Sequence, residues 1–281
     1  MGKVLNVATC QFAITSSIRR NAAQILRHIH AAADQDAHIV HFSEAALTGY
    51  AGQEYETWDG FEWDTLRHET ECIRRAAREC HMWVVLGSAH CLQAGHLPHN
   101  CLYVIDPRGR IVERYDKRFC TGGDLRYYSP GSHFSVFGVR GVVCGLLICY
   151  DVRFPELYRR YKQLGVQCMF HSFWNARAQG HNIHTDIMRP SLQTRAATNY
   201  LWISANNSSA HYQSWPSVFI TPDGRIARSL KQHRCGLMVN TVDLGTKYYD
   251  AAGPYRERAM RGVLHSGRRV RDPRSDDRTT H

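Results

Sequence analysis

A chain of 281 residues, 43% hydrophobic and 21% charged, can bury a large core and has the composition of a globular protein. No run of residues approaches the ~20 consecutive apolar side chains of a membrane span, and the first residues lack the apolar core of a signal peptide. We therefore expect a cytoplasmic protein without a membrane partner. The ten cysteines are spread along the chain, which indicates mostly buried free thiols rather than a disulfide framework.

The net charge of +10 raises the question of nucleic-acid binding. Residues 256–281 contain eight arginines and four acidic residues, so +4 of that excess lies in one short segment. The remaining positive charge is scattered and forms no basic stripe interleaved with aromatic residues. We expect no nucleic-acid partner, and we expect one domain over residues 1–264 followed by a basic, partly disordered tail over residues 265–281.

Strand-like and helix-like segments alternate along most of the chain. Short strands are predicted at residues 4–8 and 37–42, and the helix between them has Ser16 and Ser17 as candidate caps. A second helix is predicted after Asp64. Further strands are predicted at residues 83–88, 101–105, 142–148, 166–170, 201–205 and 237–242. The alternation indicates an α/β fold in which helices cover sheets.

Two seven-residue segments, 105–111 and 220–226, are identical at five positions. Each places Pro and Gly where a β-hairpin turns. They are either unrelated hairpins with the same turn chemistry or the corresponding ends of two similar halves of one domain. The short match leaves both interpretations open.

Nucleotide and metal motifs are absent from the sequence. The chain has no Gly-x-Gly-x-x-Gly and no Gly-x-x-x-x-Gly-Lys segment. The histidine pairs His28/His30 and His181/His184 lack the Cys-x-x-Cys or His-Glu-x-x-His setting of a zinc site. We therefore expect no metal ion and no organic cofactor.

Cys149 lies at the most informative junction in the chain. An apolar strand over residues 142–148 runs into Cys149, a polar turn follows, and Pro155 can begin a helix. A cysteine at such a turn is exposed at the edge of a sheet, where a helix dipole can lower its pKa. The pattern is similar to the nucleophile elbow of hydrolases. Taken alone, it fits a buried structural thiol equally well.

A thiolate nucleophile needs a base and a donor for the oxyanion. Glu44 and Lys117 each follow an apolar strand, where pockets form in α/β folds. Three such groups in the order Glu, Lys, Cys resemble the nitrilase superfamily of carbon–nitrogen hydrolases. The resemblance extends from Val4 to about Leu264 and is most specific at residues 149–156, Cys-Tyr-Asp-Val-Arg-Phe-Pro-Glu.

The resemblance implies a four-layer αββα sandwich of two mixed sheets covered by helices. It also implies that Glu44 is the general base, Lys117 the catalytic lysine and Cys149 the nucleophile. Many members have a second glutamate where this chain has Asp124, which is one methylene shorter. Family members contact substrate at positions matching Tyr50, Tyr150, Phe173, Trp174 and Asn175, although aromatic residues there fit core or dimer packing equally well.

The implied reaction is hydrolysis of a small linear amide through a thioester on Cys149, with Lys117 and the Tyr150 backbone N–H holding the oxyanion. An N-carbamoyl amidohydrolase, a nitrilase and a catalytically idle binding or assembly partner are the alternatives. Nitrile-hydrolysing members usually place Trp-Glu directly after the cysteine, so the Tyr150-Asp151 pair favours amides. The resemblance further implies a homodimer or a higher homo-oligomer.

Overall fold

The computed structural model describes residues 3–93, 95–175 and 180–279, and its strands form two six-stranded sheets. In spatial order the first sheet contains β12 (Gly236–Asp243), β1 (Val4–Gln11), β2 (Ile39–His41), β3 (Trp83–His90), β4 (His99–Ile105) and β5 (Ile111–Asp116). The second contains β11 (Ile226–Ser229), β10 (Val218–Ile220), β9 (Trp202–Asn206), β8 (Cys168–Ser172), β7 (Val142–Ile148) and β6 (Val136–Val139). In each sheet three neighbouring strands, β1–β3 or β7–β9, run parallel, and the outer strands are antiparallel.

Helices cover the outer face of each sheet. α1 (Ile18–Ala33) and α2 (Trp63–Glu79) pack on the first sheet, whereas α3 (Pro155–Gln163) and α4 (Ile183–Asn199) pack on the second. One core lies under α1 and α2, and a larger core fills the space between the sheets and under α3 and α4. The predicted αββα sandwich is therefore confirmed.

α1 shows how the sequence specifies these layers. Its apolar residues, among them Ile25 and Ile29, recur at helical spacing and are fully buried against the first sheet. Of the two candidate caps, Ser17 is the one used, and its hydroxyl accepts a hydrogen bond from the Arg20 N–H at 3.3 Å.

The hairpins β4–β5 and β10–β11 occupy equivalent places in the two sheets. β4 pairs with β3 and β10 pairs with β9, and β3 and β9 are each the last parallel strand of their sheet in chain order. Each hairpin turns at a glycine with positive φ, which is 75° at Gly109 and 85° at Gly224. Arg74 Nε of α2 donates to the Gly109 carbonyl at 2.7 Å, and Gln193 Nε2 of α4 donates to the Gly224 carbonyl at 2.9 Å. These shared features favour the interpretation of two similar halves.

The C-terminal segment contains two short helices, α5 (Arg256–Met260) and α6 (Pro273–Asp276). Apart from the partly buried Asp272, residues 265–279 are exposed. The division into a domain over residues 1–264 and a tail over residues 265–281 stays a prediction. Within the described ranges, no helix is both long and apolar enough to cross a membrane.

Candidate active site

Cys149 stands at a sharp turn between β7 and a short 3-10 helix, Cys149–Arg153, that leads into α3. Its φ of 42° lies in the left-handed region, which is uncommon for a residue with a side chain and is unfavourable by about 1–2 kcal/mol. Strained residues of this kind cluster at functional sites because the surrounding structure must hold them in place. The strand-to-helix turn predicted at Cys149 is therefore present.

Lys117 directly follows β5 and is fully buried. Its ammonium donates hydrogen bonds to Glu44 Oε1 at 2.8 Å and to Asp124 Oδ2 at 2.9 Å. A buried cation is tolerated only where charge and hydrogen bonds compensate for the lost hydration, and here two carboxylates do so. The structure thus brings three of the predicted site residues into direct contact.

Glu44 is also fully buried, and its carboxylate accepts hydrogen bonds from three different segments of the described chain. Besides Lys117, Asn100 of β4 donates from Nδ2 to Oε1 at 2.8 Å. The backbone N–H of Trp174 donates to Oε2 at 2.8 Å. The carboxylate is therefore fixed in one orientation by the two sheets together.

Asp124 begins a one-turn 3-10 helix, Asp124–Arg126, and is almost completely buried. Its carboxylate accepts hydrogen bonds from Lys117, from the Thr121 N–H at 2.9 Å and from the Tyr50 hydroxyl. The position that the sequence matched to the family's second glutamate therefore reaches the lysine despite its shorter side chain.

The burial and charges of this cluster set its protonation. Burial raises the pKa of Glu44, and the Lys117 ammonium opposes that shift. Burial alone would lower the pKa of Lys117, but the carboxylates beside it raise that pKa well above its ordinary value. Against the effect of burial, the Lys117 ammonium holds the pKa of Asp124 below its usual range. Burial and then the facing Glu44 carboxylate raise the pKa of the Cys149 thiol. The resting site therefore holds a protonated lysine and a neutral thiol.

A cavity of about 300 Å³ opens over these groups. The Tyr50 and Trp174 rings form one wall, stacked with centroids 4.8 Å apart. The cavity is also lined by Lys117, Asp124, Arg126 and Cys149. Its size suits a small molecule, and Cys149 and Lys117 both line it.

Three residues predicted to contact substrate are not among the described residues that line the cavity. Phe173 is fully buried and stacks on His171 with centroids 4.2 Å apart. The Tyr150 ring packs edge-on against Phe154 and is 37% exposed. Asn175 is buried, and its backbone N–H donates to Asn207 Oδ1 at 3.1 Å. Of the predicted substrate contacts, only Tyr50 and Trp174 line the cavity among the described residues.

The sequence patterns missed two residues of this site. Asn100 is a buried polar residue near the start of β4, and its position directly before the apolar run of residues 101–105 could have revealed it. Arg126 ends the short 3-10 helix Asp124–Arg126, and no local sequence pattern distinguishes it from a surface charge. In the ranges that the structure describes, no cluster of three or more His, Cys, Asp or Glu side chains could hold a metal ion.

Comparisons with known proteins bear on this geometry. Omega-amidase NIT2 of Homo sapiens is 27% identical over 78% of this chain and 82% of its own length. The 2-oxoglutaramate amidase of Bacillus subtilis is 28% identical over 55% of this chain and 60% of its own. A mutant of the Nesterenkonia AN1 amidase, from the nitrilase superfamily, aligns with a TM-score of 0.77 and 21% identity over 94% of this chain and 98% of that chain. The model of the carbon-nitrogen hydrolase family matches residues 6–248. The chain therefore belongs to the carbon-nitrogen hydrolase family.

Proposed function

We propose that this protein hydrolyses small linear amides to a carboxylic acid and ammonia or an amine, with Cys149 as its nucleophile. The observation that carries the proposal is the buried contact of Lys117 with Glu44 and Asp124, in a cavity that Cys149 also lines. A cation between two carboxylates beside a thiol supplies the base and the oxyanion donor of an acyl-transfer reaction.

In the first half of the reaction Glu44 accepts the Cys149 proton as the sulfur attacks the amide carbonyl carbon. Lys117 and the backbone N–H of Tyr150 donate to the oxyanion. That N–H lies in the first turn of a 3-10 helix, where N–H groups have no acceptor within the helix. Glu44 then gives the proton to the leaving nitrogen, the C–N bond breaks and a thioester remains.

In the second half, water attacks the thioester carbonyl carbon while Glu44 takes one of its protons. The C–S bond breaks, the acid leaves, and the proton returns from Glu44 to the Cys149 sulfur. Atoms and charge balance without any further reactant. Asp124 holds Lys117 in place during both halves and keeps it charged.

Structures of relatives support this reaction class. In one mutant of the Nesterenkonia amidase the acetamide moiety of fluoroacetamide is bonded to the active-site cysteine, and another mutant is in complex with butyramide. Both structures contain a small amide group, and the cavity over Cys149 in this chain is of a size that suits small amides.

Arg126 points to amides that carry an anionic group. It lines the cavity, and its side chain has no ion pair or hydrogen bond within the described residues. Lys117, the other cation that lines the cavity in the described part of the chain, is already paired with two carboxylates. A guanidinium suits a carboxylate because it can donate two parallel hydrogen bonds. The name of the Bacillus subtilis relative, 2-oxoglutaramate amidase, refers to a substrate with such a group.

Two further proposals concern the protein in the cell. We propose a cytoplasmic location. All ten cysteines are free, which supports this location because reducing compartments keep thiols unpaired. We also propose a homodimer or higher homo-oligomer, on the family resemblance alone. Size-exclusion chromatography with light scattering tests the second, and a monomer at micromolar concentration would contradict it.

Release of ammonia and acid from matched amides, nitriles and N-carbamoyl compounds tests the proposed function. We expect kcat/KM for the amide to exceed that for the nitrile of the same acid by about tenfold or more, equivalent to ~1.4 kcal/mol. Cys149→Ala is the control for contaminating activity. Preference for nitriles or for N-carbamoyl compounds would reassign the reaction, and a protein inert toward all three would favour a binding or assembly role.

A further inference from the structure

The two turns that carry Lys117 and Cys149 come from different sheets. Lys117 follows β5 at an edge of the first sheet, and Cys149 follows β7 in the second. β5 and β7 exchange no strand hydrogen bonds, so no backbone ladder sets the distance between the two turns. An error of about 1 Å between the sulfur and an oxyanion donor is enough to slow a reaction strongly.

The Asp151 carboxylate connects the Lys117 turn to the Cys149 turn. Asp151 is fully buried two residues after Cys149, and its Oδ2 accepts hydrogen bonds from the Ile148 N–H at 2.9 Å and the Tyr115 hydroxyl at 2.8 Å. Its Oδ1 accepts from the Phe119 N–H at 3.0 Å. Tyr115 and Phe119 lie two residues on either side of Lys117, and Ile148 precedes Cys149. The donors therefore belong to both turns.

We propose that Asp151 is a positioning residue that joins the Lys117 turn to the Cys149 turn and so sets the lysine against the sulfur. The proposal rests on the proposed amide hydrolysis for its effect on rate. Asp151 does not line the cavity among the described residues, so it acts through its neighbours and not on substrate.

The chemistry of the three donors calls for a carboxylate. Burial raises the pKa of Asp151 to about 6, so the group is mainly ionised at neutral pH and has acceptors on both oxygens. An asparagine would present an NH₂ group to at least one N–H and would lose that hydrogen bond. A stacked pair, Phe119 on Phe154 with centroids 3.6 Å apart, joins the same two turns, so the fold can survive the loss.

Asp151→Asn tests the proposal, with Asp106→Asn as the matched control. Asp106 is another buried carboxylate, and it accepts the backbone N–H groups of Arg108 and Arg110 at 2.9 Å in the β4–β5 turn, outside the site. Both variants should lower the melting temperature. Only Asp151→Asn should lower kcat for a small amide, by about tenfold or more with KM changed by less than about threefold.

A second measurement does not depend on amide turnover. The rate at which iodoacetamide alkylates Cys149 at about pH 8, followed by peptide mass spectrometry, reports the thiolate fraction. The Lys117 charge lowers the pKa of this thiol, so moving the lysine away should slow alkylation by about threefold or more. If Lys117 stayed in place, loss of the Asp151 negative charge would by itself lower the pKa of the Cys149 thiol and speed alkylation instead. Wild-type or faster alkylation in Asp151→Asn would overturn the proposal.

Amide kinetics and the alkylation rate together distinguish a failure of the proposed Asp151 role from a failure of the proposed function. If the wild type hydrolyses no amide, the proposed function fails, and the alkylation rates still decide whether Asp151 positions Lys117. If Asp151→Asn does not fold, Tyr115→Phe removes one of the three donors and should change both rates in the same direction by a smaller factor. Wild-type rates in a folded Tyr115→Phe variant would then count against the proposal.

Discussion

Lys117 is buried as a charged residue, and its neighbours explain why that is possible. Glu44 and Asp124 accept from its ammonium at 2.8 and 2.9 Å, so the buried cation is compensated on two sides. Removing one partner of a buried ion pair typically destabilises a protein by about 3–5 kcal/mol, because the remaining charge is left without compensation. The same contact that stabilises the site therefore makes it sensitive to single substitutions.

Asp124→Asn should lower kcat for an amide by about tenfold or more, because Lys117 loses the charge that holds it in place. Asp124→Glu keeps that charge and should be tolerated better. Steady-state kinetics on both variants, with circular dichroism to confirm folding, provides the measurement. Small and equal effects of the two substitutions would show that Asp124 has no part in the reaction.

At the residue scale the sequence predicted which charged groups meet but not which aromatic side chains face the cavity. Glu44, Lys117 and Cys149 each follow a strand, and strand ends at one edge of a sandwich converge. Tyr150 and Phe173 were predicted because the family resemblance matches them to positions that contact substrate, and a matched position does not specify the direction of a side chain. Whether a side chain points into the cavity depends on the backbone of the turn, such as the positive φ at Cys149, which no sequence pattern specifies.

β3 passes unusually close to the turn that carries Glu44. A Cβ atom on Gly87 would lie 2.0 Å from the Ser43 carbonyl oxygen and 2.9 Å from the Ala45 backbone nitrogen. Both neighbours are main-chain atoms, so the strand or the turn would have to move. Gly87 therefore permits the close approach that places Glu44 over the sheet.

Gly87→Ala should reduce kcat/KM by about tenfold or more and lower the melting temperature, because the added methyl group displaces the backbone on both sides of Glu44. Gly138→Ala is the control, since Gly138 is also in a strand and a Cβ there would meet nothing within 4 Å. Thermal unfolding and amide kinetics would be measured on both. Wild-type activity in a folded Gly87→Ala variant would show that the position of Glu44 is not so tightly fixed.

At the element scale most strands were predictable, whereas α4 was not. Predicted strands 166–170 and 201–205 are observed as Cys168–Ser172 and Trp202–Asn206, which are shifts of one or two residues. α4 contains Pro190 in its interior, and its apolar residues form no clear stripe. Since helix patterns are recognised by an apolar face and by the absence of internal proline, α4 could not be identified from its sequence.

The two sheets are joined by a buried polar network as well as by apolar packing. His41 of β2 lies 2.8 Å from Ser204 Oγ of β9 through Nδ1 and 2.8 Å from Ser172 Oγ of β8 through Nε2. Ser204 Oγ is also 2.7 Å from Thr9 Oγ1 of β1. Burial lowers the pKa of His41 to about 3, so the imidazole is neutral in the folded protein at physiological pH.

This network makes stability depend on pH in a defined direction. The unfolded chain binds a proton at His41 near its ordinary pKa of about 6.5, whereas the folded chain does not do so until about pH 3. The contribution of His41 to stability is therefore complete above about pH 6.5 and is lost as the pH falls. Between about pH 7.5 and 5, the free energy of unfolding should fall by about 2 kcal/mol more in the wild type than in His41→Asn. Urea titrations at both pH values measure the free energy of unfolding. An equal decrease in the wild type and in His41→Asn would contradict the prediction.

Removal of residues 268–281 should leave kcat and KM for an amide unchanged, because residues 268–279 are exposed apart from Asp272 and pack against no core. The truncated protein would be compared with the full chain by amide kinetics and by light scattering. Lost activity would show that this segment contributes to the site or to a partner subunit.

The proposed reaction requires Cys149 to form a covalent thioester with the acyl part of an amide. Wild-type protein mixed with a small amide and quenched within one turnover should gain the mass of the acyl group at Cys149, as located by peptide mass spectrometry. Glu44→Gln should accumulate little or no adduct, and Cys149→Ala should be folded, unmodified and inactive. Appreciable amide hydrolysis by Cys149→Ala, or turnover by the wild type with no adduct at any quench time, would contradict a thioester mechanism at Cys149.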